Sequence, residues 1–90
     1  MSADERIERL RAEVSANDAK IVGHVNERLR IVREIWALKA TSGAGRVDPD
    51  RERRLLEQLH AANAGPLSDE GLERLVAELL ALTKRELGPE

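Results

Sequence analysis

DERIERLRAEVSANDAKIVGHVNERLRIVREIWALKA, Asp4 to Ala40, is the stretch whose reading decides the fold. It contains no proline and a single glycine, Gly23. Along it Ile7, Leu10, Val14, Asn17, Ile21, His24, Arg28, Ile31, Ile35 and Leu38 recur at alternating spacings of three and four. That is a heptad-like seam, the period at which one face of a helix meets a partner. Ser2 or Asp4 is placed to cap its start, with acidic residues in the first turn to complement the helix dipole. At 1.5 Å per residue such a helix runs about 55 Å. A compact domain of this size has a radius of gyration of about 13 Å. The helix is too long for the rest of one chain to cover.

The remainder reads as two shorter helices. Thr41-Ser42-Gly43-Ala44-Gly45 is a flexible loop, and Asp48-Pro49 reads as an N-cap followed by proline at the first helical position. The second helix is expected from about Pro49 to Asn63, burying Leu55, Leu56 and Leu59. Ala64-Gly65-Pro66 ends it, and Ser68 caps a third helix with Asp69 and Glu70 in its first turn. That helix, reaching about Leu87, carries Leu72, Leu75, Val76, Leu79, Leu80 and Leu82 or Thr83 on its apolar side. No strand pattern, internal repeat or low-complexity stretch occurs. The fold class is all-α, three helices per chain, one long and two shorter, in a single domain over 1–90. The overhang of the long helix favours an intertwined homodimeric bundle over a monomeric three-helix hairpin.

Composition agrees. Ninety residues are 41% hydrophobic and 36% charged, with Trp36 the only aromatic and no cysteine. A core of Leu, Ile, Val and Ala suits close helix packing better than a β-sandwich. No disulfide framework, thiolate zinc site or thiol nucleophile is available, and a reducing cytoplasm is the expected compartment. A formal net charge of −2 offers no global attraction to nucleic acid or anionic lipid. MSADERIERL lacks the apolar core of a signal peptide, and no apolar run approaches a membrane span. No nucleic-acid or membrane partner is expected, and no metal or cofactor. His24 and His60 lack metal-ligand spacing, and no phosphate loop or nucleophile elbow is present. Trp36 reads as a core or interface anchor. The run Arg51-Glu52-Arg53-Arg54 carries interspersed acid and no stacking aromatics, unlike a nucleic-acid site.

Polar residues interrupt the seam. Arg28 falls where heptad counting asks for an interior residue, and Lys39, eleven residues on, returns to within about 20° of its direction. Cations on an apolar stripe either snorkel to solvent, pair with glutamates, or meet something anionic. Asp48, Arg51 and Glu52, at i, i+3 and i+4, share one face of the second helix's first turn, either as an exposed cap or as part of a polar pocket.

The ordered set Leu10-Arg11…Asp18, Glu27-Arg28, Lys39 and Asp48-x-x-Arg51-Glu52 resembles the all-helical, AroQ-type chorismate mutases across essentially the whole chain. The resemblance implies an intertwined homodimer and a pericyclic rearrangement of chorismate to prephenate, in the aromatic amino acid branch of the shikimate pathway. Such a reaction needs no base, nucleophile or cofactor. By similarity, Arg11 reaches from the partner subunit to one carboxylate of the dianion, and Arg28 binds a carboxylate from its own subunit. The seventeen-residue step between them gives about 260° of rotation, so the two do not share one helix face, which fits that division. Lys39 donates to the ether oxygen, Glu52 with Asp48 receives the ring hydroxyl, and Arg51 lines the site. Thr83 matches the serine or threonine that the family places on its third helix. Four residues on, where the family has Gln or Glu, stands Leu87, with Glu86 adjacent and Glu90 following. Lys84 stands where the family often has an apolar residue. These departures leave open an enzyme whose C-terminus is reorganised by an activating shikimate-pathway partner, an isochorismate-pyruvate lyase of the same fold, and a non-enzymatic dimerisation or regulatory module. The Glu52 carboxylate favours the mutase over the lyase. Ninety residues leave no room for a fused enzyme domain, so regulation is expected to come from partners.

Overall fold

The computed structural model describes residues 2–43 and 45–88. Ala44 of the expected loop, and Glu90, lie outside them. The described residues form three helices and no strand: α1 (Ala3–Ser42), α2 (Pro49–Ala62) and α3 (Asp69–Leu87). The chain divides into two compact units, Met1–Val32 and Arg33–Glu90.

The first unit is helix alone. Ser2, rather than Asp4, starts it: its Oγ accepts from the Glu5 backbone N–H at 3.1 Å and donates to the Glu5 carboxylate at 3.2 Å. The Glu5 N–H, one of the open donors of the first turn, is satisfied in this way, and the Glu5 carboxylate holds the Ser2 hydroxyl in place. Asp4 and Glu5 then sit where the positive end of the dipole favours them. Further along, Glu8 pairs with Arg11 and Glu27 with Arg30, each across one turn. The Arg30 guanidinium, by hydrogen bond and then by charge, lowers the Glu27 pKa below its ordinary value. That pair's contribution is present above the ordinary carboxylate range and is lost as pH falls through the lowered one. Ile7, Leu10, Val14, Ile21 and Ile31 of the seam are 43–58% exposed. Val25, Arg28, Leu29 and Val32 are half-buried.

In the second unit, α1 runs two residues past Ala40. The hydroxyls of Thr41 and Ser42 donate to the carbonyls of Leu38 and Lys39, at 2.7 and 2.9 Å, so residues expected in the loop close the helix's last turn instead. Gly43, at φ +78°, then turns the chain away in a conformation that suits a residue without Cβ. Asp48 is the N-cap of α2 and Pro49 occupies its first turn. The α2–α3 turn is organised by Asn63, whose amide donates to the Leu67 carbonyl at 2.9 Å and accepts from the Gly65 N–H at 3.0 Å. Ser68 caps α3 by accepting from the Gly71 N–H at 3.0 Å.

α2 and α3 pack on each other. Leu72 and Val76 are buried in α3, with Thr83 two turns further on, while Leu55, Leu56 and Leu59 of α2 are half-buried. Leu75, expected on the apolar side of α3, is 49% exposed. It lies about 100° from Val76 and about 60° from Leu72, at the edge of the buried stripe. Trp36 is buried, and the Arg46 guanidinium lies over its ring at 4.8 Å from the centroid, a cation–π contact between the end of α1 and the following loop.

Leu72 is 5% exposed, so Leu72→Ala leaves a cavity that the facing leucines fill only in part. We expect it to lower the unfolding free energy by about 2–5 kcal/mol, read by urea denaturation followed at 222 nm.

Candidate active site

The residues singled out by sequence fall into both units. In the first, Arg11 projects into solvent with its guanidinium 3.1 Å from Glu8, and Arg28 is half-buried. The adjacent Glu27 directs its carboxylate to Arg30 through two hydrogen bonds. In the second, Lys39 is half-buried in the last turn of α1, where a cation also complements the helix dipole.

Asp48, Arg51 and Glu52 are brought together by the start of α2. The Asp48 carboxylate accepts from the Arg51 backbone N–H at 3.1 Å, and the Asp48 carbonyl accepts from the Glu52 N–H at 3.0 Å. The Asp48–Arg51 contact is therefore a helix cap rather than an ion pair, and Arg51 is exposed. Glu52 is half-buried and turns toward α3, where its Oε1 lies 3.4 Å from the Lys84 ammonium. Thr83 is buried, and its hydroxyl donates to the Leu79 carbonyl at 2.7 Å. Leu87, one turn on from Thr83, is half-buried and apolar. Among the described residues no ion pair joins Lys39 to Asp48 or Glu52.

Two contacts escape a reading of single helices. Lys84, noted in sequence only as a charge in an unusual place, reaches across to Glu52. His60, isolated in sequence, stands between two carboxylates of α3, with Nδ1 3.4 Å from Asp69 and Nε2 3.5 Å from Glu73. The signal for both is register. Two antiparallel helices joined by a short turn set the end of α2 against the start of α3, and the start of α2 against the end of α3.

Chemically, these residues offer cations and carboxylates that can grip an anion bearing a hydroxyl. Among the described residues no group of three histidine or acidic side chains is arranged to hold a metal ion. Fold and residues together define an all-α protein whose candidate polar groups are cations and carboxylates on three helices. The sequence model of the family described as chorismate mutase type II matches residues 10–86, and the chain belongs to that family. It is 36% identical over 81 residues to the bifunctional chorismate mutase/prephenate dehydratase of Neisseria gonorrhoeae, covering 81% of this chain and 22% of that protein. To the protein of the same description from Pseudomonas aeruginosa it is 28% identical over 103 residues, covering 100% of this chain and 28% of that one. The chain thus spans under a third of these relatives' lengths. Among solved structures, form I of the chorismate mutase of Thermus thermophilus superposes with a TM-score of 0.84 at 37% identity, over 87% of this chain and 98% of that one. Form II gives 0.87 at 35% identity, over 91% and 93%.

The capping role of Asp48 separates from any role of its charge. Asparagine caps a helix as well as aspartate does, whereas alanine cannot. Asp48→Asn is expected to keep wild-type stability and Asp48→Ala to lose about 1 kcal/mol, measured by urea denaturation.

Proposed function

We propose that this protein is a chorismate mutase, rearranging chorismate to prephenate. The observation that carries the reading is family membership over residues 10–86, a span containing Arg11, Arg28, Lys39, Asp48, Arg51, Glu52 and Thr83. In this reaction the ether C–O bond breaks as a C–C bond forms at the other end of the same molecule. No atom is gained or lost and no proton is transferred, so the protein acts by selecting a conformer and stabilising charge.

The substrate is a dianion whose reacting ends must be folded together. Arg28 of one chain and Arg11 of a second hold its two carboxylates, which turns an extended molecule into a near-attack conformer. Lys39 donates to the ether oxygen, where negative charge grows as the bond breaks, and that contact strengthens toward the transition state. Glu52, with Asp48 behind it, accepts the ring hydroxyl, and Arg51 adds positive potential beside the carboxylates. Thr83 lines the α3 end.

The division of arginines requires a homodimer, and the exposed apolar seam of the first unit supports one. On this reading residues 1–90 act as one domain, working in the cytoplasm in the aromatic amino acid branch of the shikimate pathway. Leu87 puts an apolar side chain where the family has Gln or Glu, which supports an activating shikimate-pathway enzyme as a further partner.

The test is incubation of the purified protein with chorismate, following loss of its ultraviolet absorbance and appearance of prephenate. Turnover supports the reading, and its absence at high protein concentration, with or without a shikimate-pathway enzyme added, sinks it. Lys39→Ala is expected to lower kcat by about 10²–10³-fold with a smaller change in KM, the pattern for a transition-state contact. A change confined to KM contradicts that role. Mixing Arg11→Ala with Arg28→Ala chains should regenerate one intact site per mixed dimer. Failure of activity to return counts against arginines shared between chains.

A further inference from the structure

Among the described residues, two polar ties join α2 to α3. One, His60 with Asp69 and Glu73, lies beside the turn. The other, Lys84 with Glu52, lies at the opposite end of the pair, where the candidate site residues are. It differs from the pairs Glu8–Arg11, Glu27–Arg30 and Asp50–Arg53, which join neighbours on one helix with both side chains more than half exposed. Lys84 and Glu52 come from different helices, and Glu52, at 30% exposure, is far more enclosed than those acids. The Lys84 side chain is itself 46% exposed, and at 3.4 Å its ammonium favours the rotations of the Glu52 carboxylate that turn Oε1 toward it.

The consequence lies in which oxygen is used. Lys84 contacts Oε1, which leaves Oε2 to accept from another donor. On the proposed function that donor is the ring hydroxyl of chorismate, so an ammonium that sets the rotation of the carboxylate also sets the hydroxyl's acceptor. We propose that Lys84 is a positioning residue for the rearrangement: it acts through Glu52, holding the carboxylate so that Oε2 meets the substrate hydroxyl. The inference rests on the mutase reading and on Glu52 as the hydroxyl acceptor. Lysine performs this role with a compact point charge, and arginine, cationic and one atom longer, can replace it in part. Methionine matches the lysine stem as far as Cε and lacks the charge.

The experiment is steady-state turnover of chorismate by wild type, Lys84→Met, Lys84→Arg, Glu52→Gln and the Lys84→Met/Glu52→Gln double variant. Lys84→Met should lower kcat/KM about tenfold, mostly through KM, the scale of weakening one charge-assisted hydrogen bond. Lys84→Arg should recover to within about threefold of wild type, and in the Glu52→Gln background Lys84→Met should add less than about twofold. A role confined to packing α2 on α3 moves the thermal midpoint without this kinetic pattern. If Lys84→Met loses its helical signal at 222 nm, Lys84→Gln is read in its place. Wild-type kinetics in Lys84→Met, no recovery in Lys84→Arg, or an undiminished effect beside Glu52→Gln each overturn the proposal while leaving the mutase reading intact. Absence of turnover by the wild type overturns both.

Discussion

The apolar stripe along the first thirty residues of α1 is the constraint on which the rest depends. Ile7, Leu10, Val14, Ile21 and Ile31 face water in the single chain, at 43–58% exposure. Burying apolar surface stabilises by about 25 cal/mol per Å², and a lone helix is marginal in water without such burial. Capping by Ser2 and the Glu8–Arg11 and Glu27–Arg30 pairs hold local geometry, yet solvent-exposed pairs of that kind contribute little to stability. A second copy of the same helix offers the matching stripe, and a heptad spacing is what two such helices need in order to mesh.

The proposed association would also account for the distribution of charge. A net charge of −2 conceals Arg11, Arg28 and Lys39 along one helix, cations that a dianion would meet together if two chains paired as proposed. Chemistry that moves no proton and forms no covalent intermediate asks only that such groups be held in place. The lack of cysteine is then of little consequence. Rigidity matters more, and it comes from the parts of the second unit that surround the candidate residues: the Asp48 cap, the Arg46 contact on Trp36, and the tie from Lys84 to Glu52.

Much of this was legible in the sequence, because it follows from local chemistry. The absence of proline and the three–four spacing mark α1. Asp48-Pro49 and Ser68 mark the starts of α2 and α3, each by a side chain satisfying N–H groups of the next turn. The details left open or misjudged depend on choices that spacing does not make. Of the two starts the sequence offers, Ser2 caps α1, its Oγ accepting from the Glu5 N–H three residues on. Thr41 and Ser42 prolong α1 because their hydroxyls satisfy its last carbonyls. Leu75 is exposed because the buried stripe of α3 is narrower than its leucine content suggests. The residues of the candidate site could be named from their order, but not their partners. Lys84 and Glu52 are thirty-two positions apart, and only the register of α2 on α3 makes them neighbours.

Association of two chains is the claim that most of the account turns on, since the seam, the shared arginines and the site all require it. Sedimentation equilibrium of the purified protein, across a range of concentrations and with helicity monitored in parallel, measures it directly. The account predicts a species of twice the 10.0 kDa chain mass that persists to low micromolar concentration. A fully helical species at the single-chain mass throughout that range would contradict it.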